Sequence, residues 1–222
     1  MKKNKILSIY MIVIVIIFII TFSVSIPVLC RPFYYLHIDT LDLVNQTGYD
    51  YQTIKTAYDE MMNFCLGLTN RFSTGDLKYS IDGMNHFIDV KNLFILDLSL
   101  LIFSALNILI IPEICKKRNI IPYRFNNHSN SYYASTALLF AFIAIVLFSL
   151  GNFNRTFVIF HLLFFPGKTN WLFDSRYDEI ILILPETYFM NCAILIVAVL
   201  IVICLFLIIK DKLTRQKLTV MD

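Results

Sequence analysis

Two histidines in distant parts of the chain have settings that suit proton transfer. His86 lies in the stretch N-H-F-I-D-V-K at 85–91, and His161 lies in the apolar run F-H-L-L-F-F-P-G at 160–167. An imidazole exchanges protons near neutral pH, so one such ring can act as a base while a second donates to a developing oxyanion or a leaving group. In the alternative interpretation, each ring anchors its segment at a membrane surface, with a polar tip and an apolar body. We expect surface or capping roles for His37 and a solvated position for His128.

Two charged residues follow His86 closely, and each admits two interpretations. Asp89 comes three residues later, so in a helix it would share a face with His86 and could orient the imidazole. An Asp is equally favoured near a helix N-terminus by the helix dipole. Lys91 either reaches along the membrane interface or contributes to the site.

Aromatic residues are concentrated around His161. Ten of the 37 residues from 153 to 189 carry aromatic rings, against 15% of the whole chain. A membrane-interface belt explains Tyr188 and Phe189, whereas the rings between 160 and 173 also suit a cavity for an acyl chain or a glyceryl group. H-E-x-x-H, C-x-x-C, G-x-S-x-G and Gly-rich phosphate-binding motifs do not occur. A zinc site from both histidines and a carboxylate lacks the usual ligand spacing, so we expect neither a metal nor a cofactor.

The overall composition indicates a membrane protein. Of the 222 residues, 58% are hydrophobic and only 16% are charged, whereas soluble domains contain about 25% charged residues. One core of this size cannot bury such an excess of apolar side chains. A soluble enzyme, a disordered chain and a nucleic-acid-binding protein are therefore excluded, and we expect no nucleic-acid partner.

Four apolar stretches are long enough to cross a bilayer, which takes about 20 residues. They lie within 1–30, 91–113, 132–152 and 187–209. They are continuous rather than alternating, which favours helices over strands. The first stretch is too long for a signal peptide. The predicted fold class is an all-α membrane protein with a four-helix transmembrane bundle.

Lys and Arg cluster at the N-terminus, in the loop 114–131 and in the tail 210–222. Because positive charge is retained on the cytoplasmic side, both termini should be cytoplasmic, an N-in/C-in arrangement. The segments 31–90 and 153–186 then form an extracytoplasmic cap. Within the first, residues 49–68 read as an amphipathic helix that ends at Gly67 or Asn70. Cys30 and Cys65 could form a disulfide there, although free thiols are the favoured state.

The two histidine motifs resemble those of a known family. Residues 85–91 resemble the H-x-x-D-V-K signature of the bacterial lipoprotein intramolecular transacylases, the Lit-type integral membrane proteins. Residues 160–167, the W-L-F-D at 171–174, Asp178 and the L-P-E at 184–186 resemble the family's second motif. Ser175 stands where the family usually has Pro. The resemblance extends over the whole chain, including the four spans and two unequal outer segments.

This resemblance implies an activity and a set of site residues. Such enzymes move an acyl chain from the sn-2 oxygen of a diacylglyceryl lipoprotein to the α-amine of its N-terminal cysteine, which leaves a lyso-form lipoprotein. The two catalytic histidines correspond to His86 and His161. We expect the residues that bind substrate or support the histidines to be Asp89, Lys91, Phe160, Phe164, Phe165, Trp171, Asp174 and Asp178.

The expected partners are a diacylglyceryl lipoprotein and membrane lipids, in the cell membrane of a bacterium whose Ile-, Lys- and Asn-rich composition suits a Gram-positive species. Base catalysis by His161 with His86 as oxyanion or leaving-group partner is the favoured assignment, and the reverse remains open. A non-enzymatic four-span scaffold is the main alternative, and a transporter is a third. The sequence does not decide the oligomeric state.

Overall fold

Helices account for most of the chain in the computed structural model, which describes residues 2–149 and 151–221. The helices are α1 (Lys5–Leu29), α2 (Arg31–Thr40), α3 (Leu43–Thr47), α4 (Tyr51–Cys65), α5 (Ile81–Lys117), α6 (Asn130–Ser149), α7 (Phe153–Phe164) and α8 (Glu186–Met221). Short 3₁₀ turns occupy Phe125–Asn127 and Glu179–Leu182. The strands β1 (Lys2–Asn4) and β2 (Ile120–Pro122) form one parallel pair. Each strand has only three residues, which is too short to be predicted from a sequence pattern.

The helices α1, α5, α6 and α8 are long and apolar enough to span a membrane, as the sequence predicts. An apolar helix suits lipid because its backbone hydrogen bonds are satisfied internally. Two of these helices exceed the predicted spans: α5 begins at Ile81 rather than near 91, and α8 continues beyond 209. Hydropathy marks only the apolar part of a helix, whereas its ends depend on capping groups.

The chain forms two compact units. Unit 1 contains described residues within 1–25, 98–148 and 195–222, and its core includes Ile19, Leu138 and Leu200. Unit 2 contains Ile26–Asp97 and the described part of Ser149–Ile194, and it holds both candidate catalytic histidines. The candidate site therefore belongs to unit 2.

The core of unit 2 is built around stacked tyrosines. The rings of Tyr34 and Tyr58 stack 3.6 Å apart with an angle of 8° between their planes. The Tyr34 hydroxyl donates to the carbonyl oxygen of Ile183 at 2.8 Å, and the hydroxyls of Tyr58 and Tyr188 lie 3.2 Å apart. These bonds satisfy phenol groups that would be costly to bury alone. They also join the two sequence segments of unit 2.

The amphipathic helix predicted at 49–68 is α4, and it is slightly shorter than predicted. It begins at Tyr51 because the Asp50 carboxylate accepts hydrogen bonds from the backbone N–H groups of Gln52 and Thr53. It ends at Cys65, and Gly67 follows with a φ of +73°. The N–H groups of Gly67 and Leu68 donate back to the last turn, a termination that favours glycine.

Two expectations about histidines outside the site are wrong. His37 is buried, and its ring bridges the Phe33 carbonyl oxygen at 2.6 Å and the Asn191 side-chain amide at 2.9 Å. In unit 1, His128 is partly buried rather than free in solvent, and its Nδ1 lies 2.7 Å from the buried Asp211 carboxylate. Both rings supply partners to polar groups that sequence spacing does not connect. Cys30 and Cys65 are free thiols, the former exposed and the latter buried.

Candidate active site

His86 is positioned by the N-terminal end of α5. Ser80 caps this helix, since its hydroxyl accepts from the Gly83 N–H at 2.9 Å. Asp178, from the second segment of unit 2, accepts from the Ser80 N–H and hydroxyl at 2.7 and 2.9 Å. A side chain at Gly83 would collide with the Asp178 carboxylate, so glycine permits this close approach. Asp178 therefore supports the turn before His86 and does not lie against either imidazole.

His161 is positioned by α7 and has a defined hydrogen-bonding state. The Asn152 side chain caps α7 by accepting from the Arg155 N–H at 3.0 Å. Near the other end of the helix, Nδ1 of His161 lies 2.8 Å from the carbonyl oxygen of Phe157, one turn earlier. A carbonyl only accepts, so Nδ1 carries the proton and Nε2 holds the available lone pair.

The two imidazoles lie side by side. Their centroids are 5.8 Å apart, and their planes differ by 32°. The residues are 5% and 7% exposed, although they are 75 positions apart in the chain. Phe165 touches both, with centroid distances of 4.9 Å to His86 and 5.7 Å to His161. The structure therefore brings both sequence-predicted histidines into one largely apolar site.

Other aromatic rings complete the surroundings of the pair. Trp171 stacks on His161 at 4.7 Å and 26°, and Phe157 contacts the same ring at 4.3 Å. Phe173 meets His86 edge-on at 5.3 Å. The sequence places Phe173 among the rings that suit a cavity at 160–173, but neither Phe157 nor Phe173 is among the individually predicted site residues. The spacing of four between Phe157 and His161 was the available signal for the first, and the W-L-F-D motif for the second.

The electrostatics favour neutral imidazole at His161. Burial lowers the pKa of His161 below its ordinary value, while the hydrogen bond to the Phe157 carbonyl partly opposes that shift.

Nδ1 of His86 is buried and has no hydrogen-bond partner among the described residues. Such an atom costs about 1–3 kcal/mol when left unsatisfied, so it is a natural contact point for a polar substrate group.

Asp89 makes no hydrogen bond to His86 among the described residues, so the predicted orienting role is not carried by such a bond. Its carboxylate accepts hydrogen bonds from Lys168 Nζ at 2.5 Å and Asn170 Nδ2 at 3.1 Å. Both donors belong to the turn between α7 and Trp171. Sequence reasoning did not select Lys168 or Asn170, because only the folded chain brings them to Asp89.

The remaining predicted residues have varied positions. Lys91 contacts the Thr69 carbonyl oxygen and the Phe64 ring, at the edge of the unit 2 core. Asp174 pairs with Arg176 on the surface, which lowers the pKa of its carboxyl to about 2. Phe160 meets the His161 ring edge-on at 5.5 Å, and Phe164 packs on Phe160. Among the residues that the structure describes, no three His, Cys, Asp or Glu side chains are grouped to hold a metal ion.

Comparison with solved structures supports the same fold. The chain is similar to the membrane integral lipoprotein intramolecular transacylase Lit from Bacillus cereus, with 23% identity and a TM-score of 0.84, over 96% of this chain and 97% of that one. A variant of that protein with a histidine-to-arginine mutation gives 22% identity and a TM-score of 0.78, with coverage of 98% and 94%. A histidine-to-alanine variant gives 23% and 0.75, with coverage of 96% and 94%.

A family model identifies the relationship from sequence. The model for lipoprotein intramolecular transacylase Lit matches residues 9–189, which include both histidine motifs and most of the chain. Comparison with curated proteins found no match. The fold, the four apolar helices and this match agree, and the chain is a multi-pass membrane protein that belongs to the lipoprotein intramolecular transacylase family.

Proposed function

We propose that this protein transfers the sn-2 acyl chain of a diacylglyceryl lipoprotein to the α-amine of the lipoprotein's N-terminal cysteine, by acid/base catalysis with His86 and His161. The site would lie on the extracytoplasmic side of the cell membrane, where lipid-anchored substrates are held. The observation that carries the proposal is the buried imidazole pair, at 5.8 Å between centroids, in which one ring has a fixed tautomer.

His161 is the proposed base. Its Nδ1 proton is engaged by Phe157, so Nε2 can accept a proton from the attacking amine. The lowered pKa of His161 keeps the ring neutral at physiological pH. A free α-ammonium has a pKa of about 7.7–8.0, so a substantial share of the amine is already neutral near that pH. Its nitrogen becomes more acidic as it bonds to the carbonyl carbon, which favours transfer to imidazole.

His86 is the proposed partner of the developing oxyanion. Nδ1 of His86 is buried without a protein partner, and a protonated ring nitrogen there could donate to the carbonyl oxygen in the tetrahedral intermediate. Removing one such donor in other acyl-transfer enzymes slows the reaction by about 10²–10³-fold. This step needs no enzyme nucleophile, since amine and ester belong to the same substrate.

The reaction balances within one substrate molecule. The amine nitrogen forms a bond to the sn-2 carbonyl carbon, and one of its protons passes to His161. The bond between that carbon and the sn-2 oxygen then breaks, and the glyceryl oxygen receives the proton. The products are an amide at the cysteine and a free hydroxyl on the glyceryl group.

The aromatic surroundings serve orientation and water exclusion. Phe165, Phe157 and Trp171 cover the two imidazoles, so competing hydrolysis of the ester is suppressed. Holding an amine and an ester of one molecule in a reactive geometry contributes about 7–11 kcal/mol in favourable cases. The chain thus supplies proximity and proton transfer together.

The test is expression in a bacterium that makes only diacylated lipoproteins, followed by mass spectrometry of the lipidated N-terminal peptide. We expect an N-acylated lyso form with the wild-type protein, and little conversion with His86→Ala or His161→Ala. His128→Gln is the matched control, because it changes a histidine of unit 1 that is outside the site. An unchanged free-amine diacyl peptide with the wild type, or full conversion by either alanine variant, contradicts the proposal.

A further inference from the structure

We propose that Asp89 is a positioning residue that keeps the His161 ring in place through the turn at 166–171. This inference rests on the proposed function. Asp89 follows His86 by three residues on α5, and its side chain is 16% exposed. Asp89 lies on α5, the helix that carries His86. Its hydrogen-bond partners lie in the turn that follows α7, the helix that carries His161. It can therefore couple the positions of the two rings.

The first link joins Asp89 to the turn. One carboxylate oxygen accepts from Lys168 Nζ, and the other accepts from Asn170 Nδ2 at 3.1 Å. Both oxygens are used, so the turn is held at two points rather than one. Hydrogen bonds to an ionised carboxylate are about twice as strong as neutral ones. Loss of the carboxylate releases both points together.

The second link joins the turn to Trp171. The Trp171 indole N–H donates to the Lys168 carbonyl oxygen at 3.0 Å, so the residue that meets Asp89 also anchors the indole. The turn itself is compact, since the Lys168 N–H donates to the Phe165 carbonyl and Gly167 has a φ of +73°. A displacement of Lys168 is therefore transmitted to the indole.

The third link joins Trp171 to His161. The indole stacks on the imidazole at 4.7 Å and 26°. A second constraint on the ring comes from Phe157, whose ring contacts it at 4.3 Å and whose carbonyl oxygen accepts a hydrogen bond from Nδ1–H. Without the indole, the imidazole keeps that hydrogen bond but can tilt about it. An error of about 1 Å in a reacting group can reduce a rate by about 10²-fold.

The chain contains one tryptophan, so its fluorescence reports this stacking directly. An imidazolium quenches a neighbouring indole more than a neutral imidazole does. The fluorescence of the wild-type protein should therefore fall as pH drops through the titration of His161, and His161→Asn should abolish that change. This measurement needs no substrate.

The experiment compares Asp89→Ala with Asp82→Ala, an exposed aspartate at the start of the same helix. In lipid vesicles with a synthetic diacylglyceryl lipopeptide, we expect Asp89→Ala to lower the maximal rate about 10–100-fold. We also expect it to remove most of the pH-dependent quenching and to raise quenching by acrylamide. Asp82→Ala should match the wild type in all three measurements.

A second variant tests the same link from the turn. Lys168→Met combined with Asn170→Leu removes both donors without changing α5, and it should reproduce the effects of Asp89→Ala on rate and fluorescence. Adding Asp89→Ala to this pair should cause little further loss, because the same contact is already broken. Additive losses contradict the proposal.

The outcomes separate this inference from the proposed function. If the wild type does not convert the lipopeptide, the proposed function fails, and the role of Asp89 fails with it. If the wild type converts it and Asp89→Ala does so within about twofold, only the present inference is overturned. A lowered rate with wild-type fluorescence overturns it as well, since Asp89 would then act by another route.

Discussion

The carbonyl oxygen of Phe157 lies 2.8 Å from Nδ1 of His161, one helical turn later in α7. This contact places the ring proton on Nδ1 and leaves Nε2 as the acceptor. Nδ1 of His86, by contrast, is buried without a partner among the described residues. The two histidines are therefore inequivalent, and that difference supports separate roles in catalysis.

Glutamine substitutions should distinguish the two roles. A glutamine amide can donate a hydrogen bond but cannot act as a base at neutral pH. His161→Gln should lose about 10²–10⁴-fold in rate, the range typical of general-base catalysis. His86→Gln should retain more activity than His86→Ala, because the amide partly replaces an oxyanion donor. The rates are measured by mass spectrometry of a synthetic lipopeptide, and the opposite order would exchange the two assignments.

The reaction should slow in mild acid. Burial lowers the pKa of His161, so its neutral form dominates above about pH 6.5, the ordinary histidine value. As the pH falls further, the ring becomes protonated and can no longer accept the amine proton, and the amine is itself protonated. Initial rates measured between about pH 5 and pH 8 should decrease towards the acidic end. A rate that is constant or rises there would contradict base catalysis.

The stability of the folded protein should also decrease in mild acid, for a separate reason. The pKa of His161 is lower in the folded than in the unfolded protein, so the unfolded state binds more protons below about pH 6.5. The free energy of unfolding should therefore decrease as the pH falls through that value. Thermal unfolding in detergent measures the effect, and His161→Asn should make the dependence weaker. An unchanged dependence in that variant would assign the effect to other groups.

Asp178 should contribute mainly to stability. Its carboxylate holds the Ser80 N–H and hydroxyl at the start of α5, and it is 5% exposed. Asp178→Ala leaves the partly buried Ser80 N–H and hydroxyl without these acceptors and weakens the cap that Ser80 provides, at a cost of about 1–3 kcal/mol in the free energy of unfolding. Denaturation monitored by circular dichroism should show the loss. Asp174→Ala is the control, because the Asp174 side chain pairs only with Arg176 on the surface among the contacts described; equal losses in both variants would contradict the support that Asp178 gives to Ser80.

Cys30 and Cys65 should differ in reactivity. Both are free thiols, but Cys65 is buried in the core of unit 2, and burial raises its pKa to about 12. The thiolate is the reactive form, so a water-soluble maleimide should modify exposed Cys30 in the native protein and reach Cys65 only after denaturation. Peptide mapping by mass spectrometry identifies the sites. Recovery of a Cys30–Cys65 disulfide from oxidised membranes would contradict the structure.

Several features of this protein can be predicted from the sequence alone because they depend on local composition. The four spans follow from apolar runs that only lipid can accommodate as helices. The helix α4 follows from its apolar periodicity, and its end follows from Gly67. The two histidine motifs indicated the family, which the match over residues 9–189 shows.

The tertiary structure decided the partners of the polar side chains. Asp89 is three residues from His86, yet it bonds to Lys168 and Asn170, more than seventy positions away. The sequence predicts a surface or capping role for His37, but its ring is buried against Asn191. Apolar periodicity predicts which face of a helix is buried. Which two faces pack together depends on the path that the connecting segments take between the helices. Hydrogen-bond partners across such contacts have no signature in local spacing.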